Sequence, residues 1–324
     1  MKSMTTTKGV IYAALAGNLA VSLIKFIAAA LTGSSAMLSE GVHSLVDTIN
    51  ELLLLYGLRR ADKLPDTSHP FGYGRELYFW SFIVALLVLA LGAGVSFYEG
   101  VTHIQHPEPI ENALINYFVL SASYLCEIAS WWVGLKAFRI AKGKLGYFEA
   151  FRASKDPSIF VVLFEDTAAL LGLLIATFGI IASQVLKMPS LDGVASIGIS
   201  LVLVVSSLLL ARETKELLIG EAASPHVRES ILHIAGNDPD ICGVNGVLTV
   251  QMGPRQVIAA LSAEFRDELT TTQIEQCVSR IEIAIKLAHL DVTTLFVKPQ
   301  TADTWRRRMA PLAVQQNAGI ETHL

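Results

Sequence analysis

Charge is scarce in this chain of 324 residues: only 17% of positions are Asp, Glu, Lys or Arg, against about a quarter in soluble domains. That shortage, beside 52% hydrophobic residues, excludes an ordinary soluble globule and points to a membrane protein. Cysteine is sparse too. Cys126, Cys242 and Cys277 stand far apart without CxxC spacing, which argues against a disulfide framework or a thiolate metal site and leaves buried free thiols. No HExxH occurs, and no nucleophile stands at a sensible spacing from a base, so an intramembrane metallo-enzyme has little to build on. The net charge of −4 gives no case for a nucleic-acid partner.

What is present is long apolar runs. Stretches near 9–31, 36–58, 77–102, 112–140, 157–184 and 192–212 reach the roughly 20 residues needed to cross a bilayer. Lys2 and Lys8 ahead of the first run imitate a secretory leader, but Asn18 and Lys25 interrupt it, and it is read as a retained span. Basic residues fall in alternate connections: Arg59, Arg60, Lys63 and Arg75 after the second run, and Arg139, Lys142, Lys144, Arg152 and Lys155 after the fourth. The turns "LTGSS" and "HIQHPEPIEN" have none. The positive-inside rule then places both termini in the cytoplasm, with six crossings in residues 1–212. Residues 213–300 read as helix, strand, strand, helix, strand, a small α+β domain in the cytoplasm. The final segment, 301–324, shows no periodicity and is read as a flexible tail.

Ionisable residues inside apolar helices are costly and call for a partner. His43 and Asp47, four residues apart, share a face of the second span. Glu165 and Asp166 sit on the fifth, about 100° apart around the helix, so both cannot point straight at one centre. At a rise of about 1.5 Å per residue, Asn18, Asp47 and Asp166 all come to roughly mid-bilayer. Imidazole and carboxylate at one depth suit zinc and its neighbours. Asn18 taken alone fits a helix–helix hydrogen bond better than a ligand, and Glu165 fits either role. Lys25 is expected to snorkel to the nearer interface.

The stretches "GNLAVSLIKF", "SSAMLSEGVHSLVDTIN", "DTSHPFGYGRE" and "LDGVASIGISL", with six spans ahead of a cytoplasmic domain, resemble the cation diffusion facilitators from about Lys8 to Pro299. The resemblance implies a homodimeric transporter that moves zinc, or cobalt, iron or manganese, out of the cytosol or into organelles in exchange for protons, with a ferredoxin-like tail domain; the cell (inner) membrane is the expected location. It implies no prosthetic group; the metal is cargo. By the same resemblance His43, Asp47 and Asp166 match membrane-site ligands, while Asp66 and His69 match a secondary site in the second connection.

Three regions depart from the family pattern: the fifth span, the loop site and the tail domain. Val162 stands where zinc members carry His or Asp, leaving Glu165, Asn18 or water as fourth ligand. The "FEDTA" run is similar to a branch that includes a mitochondrial zinc carrier of animals. Tyr73 replaces the third ligand of the loop site, and Asn245 and Phe296 replace histidines of the tail domain. The Val162 departure keeps a second function open, a non-transporting membrane metal sensor or scaffold.

Overall fold

The computed structural model describes residues 2–110, 112–143, 146, 147, 150 and 155–310. The chain divides into two compact units, Met1–Leu218 and Ile219–Leu324.

The first unit is a helical bundle. Its helices are α1 (Lys2–Thr32), α2 (Ser35–Ala61), α3 (Arg75–Gln105), α4 (Ala113–Lys142), α5 (Pro157–Val185) and α6 (Ser190–Ile219). Four of these carry windows long and apolar enough to cross a membrane: Arg75–Gln105, Ala113–Ile140, Phe160–Val185 and Ser190–Ile219. Asn18–Thr32 is a shorter apolar segment. Large apolar side chains such as Leu23, Phe118, Leu125, Phe178 and Leu201 cover the outside of the unit. Lipid tails, not water, satisfy such a surface, so the unit is that of an integral membrane protein.

The α1–α2 hairpin turns at Gly33, whose φ of +69° suits a residue without Cβ. Ser34 then caps α2, its hydroxyl accepting the Met37 N–H at 3.2 Å, and Arg59 and Arg60 complement the helix dipole at the far end. Between helices, apolar burial from lipid contributes little, so close contact of small residues matters. A Cβ on Gly100 of α3 would lie 2.7 Å from the Gly193 carbonyl oxygen of α6, and the two helices meet there. Ala28, Ala36, Leu120, Leu173, Ala176 and Ile199 fill the centre. Within α3, Val88–Ala93 widens into a π-helical turn, and the Ala93 carbonyl accepts the Ser200 hydroxyl at 2.8 Å.

The sequence reading ended the membrane domain at 212, where charge rises, yet α6 runs on to Ile219. Leu210, Thr214 and Leu217 stay buried between Arg212, Lys215 and Glu216, so the charge marks an amphipathic continuation rather than a helix end.

In the second unit, α7 (Pro225–Gly236) starts at the Ser224 cap, and α8 (Thr271–Ala288) opens with a capping box between Thr270 and Gln273. The sheet has the order β1 (Ile241–Gly253), β2 (Gln256–Phe265), β3 (Val292–Pro299). The first pair is antiparallel and the second parallel, with α8 as the crossover. Ile231, Leu261, Cys277, Ile281 and Ile285 form its core.

The flexible tail expected over 301–324 is wrong at its start. Residues 302–310 form a helix, α9. Thr301 caps it by accepting the Thr304 N–H at 3.4 Å, and Trp305 packs closely against the face of Gly246. A lone tryptophan anchor creates no periodicity, so the helix leaves no pattern in the sequence. Residues 311–324 lie outside the described ones.

Candidate metal site

A cavity of about 70 Å³ lies among α1, α2, α4 and α5. From α1 it receives Asn18; from α2, Ser44, Asp47 and Glu51; from α4, Cys126, Glu127 and Ser130; from α5, Val162, Glu165 and Asp166. Five carboxylates therefore face one small space. Three of them are steadied by a single donor each. Asn18 Nδ2 donates to Glu51 Oε1 at 2.7 Å, Asn50 Nδ2 to Glu165 Oε1 at 2.7 Å, and Ser130 Oγ to Asp166 Oδ2 at 2.9 Å. Each keeps oxygen lone pairs for another partner. Asp47 Oδ1 is buried with no hydrogen bond.

Asn18, Asp47, Glu165 and Asp166 all line this one space. Glu165 and Asp166 both reach the cavity despite their angular separation, because the space extends around the α5 surface. His43 is not on the cavity wall. It is buried (1% exposed), its Nδ1 is 3.4 Å from Asp47 Oδ1, and neither ring nitrogen makes a hydrogen bond. Its i,i+4 position stacks it behind Asp47 rather than beside the space Asp47 faces. The wall is thus rich in oxygen, with no imidazole. Glu51 and Glu127 were not singled out as ligands; a carboxylate within an apolar span was the available signal.

Lys25 does not snorkel. It is wholly buried, with Nζ 3.1 Å from Glu40 Oε2 and 2.7 Å from Ser44 Oγ. It lies on the face of α1 that packs on α2, where an interface is out of reach. Nor are all the thiols buried: Cys277 is, whereas Cys126 and Cys242 are exposed.

In the connection after α2, Asp66 is already engaged. It accepts the Tyr73 hydroxyl at 2.7 Å and the N–H groups of His69 and Ser68 at 2.8 and 2.9 Å. The Tyr73 bond and then the His69 N–H hold its carboxyl below the usual range. His69 Nδ1 stands 3.7 Å away. In the second unit Asn245 bonds Gln300 and Ser262, and Phe296 is exposed. Among the described residues, the cluster whose ligand atoms all converge within 4.8 Å is Asp238, Asp240 and Cys277. Arg280 already fills it, 2.9 Å from Asp238 Oδ1 and 2.6 Å from Asp240 Oδ2. Burial and then the neighbouring Asp238 carboxylate push the Cys277 thiol up to about 12, so it stays a thiol.

The family model of the cation efflux transmembrane domain matches residues 11–219. The chain belongs to this family of membrane transporters, the cation diffusion facilitators. It is 34% identical over 250 residues to the proton-coupled zinc antiporter SLC30A9, mitochondrial, of Homo sapiens, an overlap of 76% of this chain and 44% of that protein. It is 29% identical over 239 residues to metal tolerance protein C4 of Arabidopsis thaliana, covering 73% of this chain and 52% of that one. With the cation-efflux pump FieF of Escherichia fergusonii it shares 26% identity over 263 residues, 81% and 82% of the two lengths. The chain thus spans about half the length of the first two relatives.

Proposed function

We propose that this chain exports zinc, or a neighbouring divalent cation, from the cytosol in exchange for protons. The observation that carries it is the cavity where Asp47, Glu51, Glu127, Glu165 and Asp166 converge with Asn18 between apolar helices. So many carboxylates in one buried space repel each other unless cations, metal or proton, occupy it. The two cargoes then compete for the same lone pairs. Metal binding expels protons, and protons arriving from the opposite side favour metal release. A conformational exchange of the helices exposes the site to each side in turn.

Six crossings with both termini cytoplasmic, a homodimer and residence in the cell (inner) membrane complete the reading. The basic connections after α2 and α4 and the apolar exterior of the bundle support it. The domain division proposed is a transport bundle and a cytoplasmic α+β domain that packs the dimer. Asp47, Asp166 and Glu165 are the proposed ligands, with Asn18 steadying Glu51. His43 completes a zinc sphere if Asp47 swings aside; Asp66 and His69 act as loop residues rather than as a second site. The oxygen-rich wall favours a harder ion such as manganese as a second reading for the cargo.

Purified protein in proteoliposomes, with dyes for zinc and for pH, tests this. Zinc entry with opposite proton flow, abolished in Asp47→Ala and Asp166→Ala, is the expected result. Metal binding without flux in wild type would leave a sensor or scaffold instead.

A further inference from the structure

A second, open pocket of about 550 Å³ lies at the end of the bundle where Gly33 joins α1 to α2. Glu99 and His103 of α3 line it, together with His106 and Glu108 just beyond that helix. His103 is only 8% exposed, and its Nε2 makes no hydrogen bond. The nearest carboxylate oxygen is Asp192 Oδ2, 3.9 Å away in the first turn of α6. Asp192 is fully buried and accepts the hydroxyls of Ser34 and Ser35 at 3.0 and 3.2 Å and the Ala36 N–H at 3.2 Å. The floor of the pocket is therefore wired directly to the N-terminus of α2.

From there polar side chains continue inward. Ser35, Ser39, His43 and Asp47 recur every four residues along α2 and share one face. Ser35 also bonds Ser196 of α6 at 2.9 Å. Ser39 and Ser96 are fully buried, and their hydroxyls make no hydrogen bond. Small residues help helices pack, but a buried hydroxyl without a partner is destabilising, so packing alone does not account for two of them. Side chains at this spacing stand about 5–6 Å apart, a gap that one water closes with two hydrogen bonds.

We infer that His103 and Asp192 form a proton port, and that the Ser35–Ser39 strip conducts protons between this pocket and the neighbourhood of the acidic cavity. The inference rests on the exchange reading above. An acid in the pocket gives its proton to His103 Nε2. That N–H bond then breaks as Asp192 Oδ2 takes the proton, and the imidazole is neutral again. The acid formed protonates Ser35 Oγ, which releases its own hydroxyl proton to the next water toward Ser39, and each bond broken is matched by one formed. The groups facing His103 are Asp192 from α6, Glu99 on its own helix, and His106 and Glu108. α1 and α2 present only apolar and hydroxyl side chains there. No three metal-ligating atoms converge in this pocket among the described residues, which favours protons over a metal as its ligand.

The test uses the full chain in proteoliposomes, reading zinc and pH together, with zinc affinity from calorimetry. In His103→Gln and Ser39→Ala, zinc-driven proton flux falls at least about tenfold while zinc affinity stays within about twofold. Ser39→Thr, which keeps the hydroxyl, restores the flux, and His103→Gln flattens the response to pH on the pocket side. If His103→Gln fails to fold, the two Ser39 variants decide. Wild-type protein that moves zinc with no proton flow would reject the exchange itself. Wild-type exchange that persists undiminished in the folded variants rejects the port alone, as does a loss of zinc affinity equal to the loss of flux.

Discussion

Lys25→Met should destabilise the bundle. Lys25 and Glu40 are each wholly buried and 3.1 Å apart, and Glu40 Oε1 makes no hydrogen bond where it presses toward Gly172. Removing one partner of such a pair leaves an uncompensated charge, a loss of about 3–5 kcal/mol. The double variant Lys25→Met, Glu40→Gln removes both charges and should recover most of the loss at pH 7. Denaturant-driven unfolding in a fixed detergent at pH 7 measures all three proteins. A single variant within about 0.5 kcal/mol of wild type, or a double variant no more stable than the single one, would refute this account.

Other outcomes follow from the remaining sites. Glu165→Gln should weaken zinc affinity and lessen the protons released on binding, because one competing site is gone; calorimetry in buffers of different ionisation enthalpy reads both. Asp66→Ala and His69→Ala should alter zinc flux far less than Asp47→Ala, since Asp66 is occupied by Tyr73 and the loop backbone. The contribution of Asp66 to loop order, with its carboxyl held low, is present above about pH 4 and is lost as pH falls through the folded value; proteolysis of the loop at graded pH follows it. At pH 8, iodoacetamide should label the exposed Cys242 and spare Cys277 until the domain unfolds, as peptide mapping would show.

Hydropathy is a local property, and it located α2, α3, α4 and α5 to within a few residues, while α1 begins earlier than the run at 9 and α6 extends past 212. The same holds for the tail domain, where the Ser224 and Thr270 caps and the Gly253-Pro254 turn announce its elements. That Asn18, Asp47 and Asp166, which all line one cavity, come to a similar level was likewise legible, because rise per residue depends on the helix alone. Rotation of one helix against the next does not. It is decided where Gly41 meets Phe26 and Gly57 meets Trp80, contacts between residues remote in the chain. Those rotations turn Glu127 and Glu51 toward the cavity, take His43 off its wall and swing Lys25 onto Glu40. They also lay the serine face of α2 against Ser196 and Asp192. The sequence by itself determined which polar groups lie within the apolar helices and how far along each; only the packed bundle decided which of them share one space, because azimuth is a property of pairs of helices and not of any one of them.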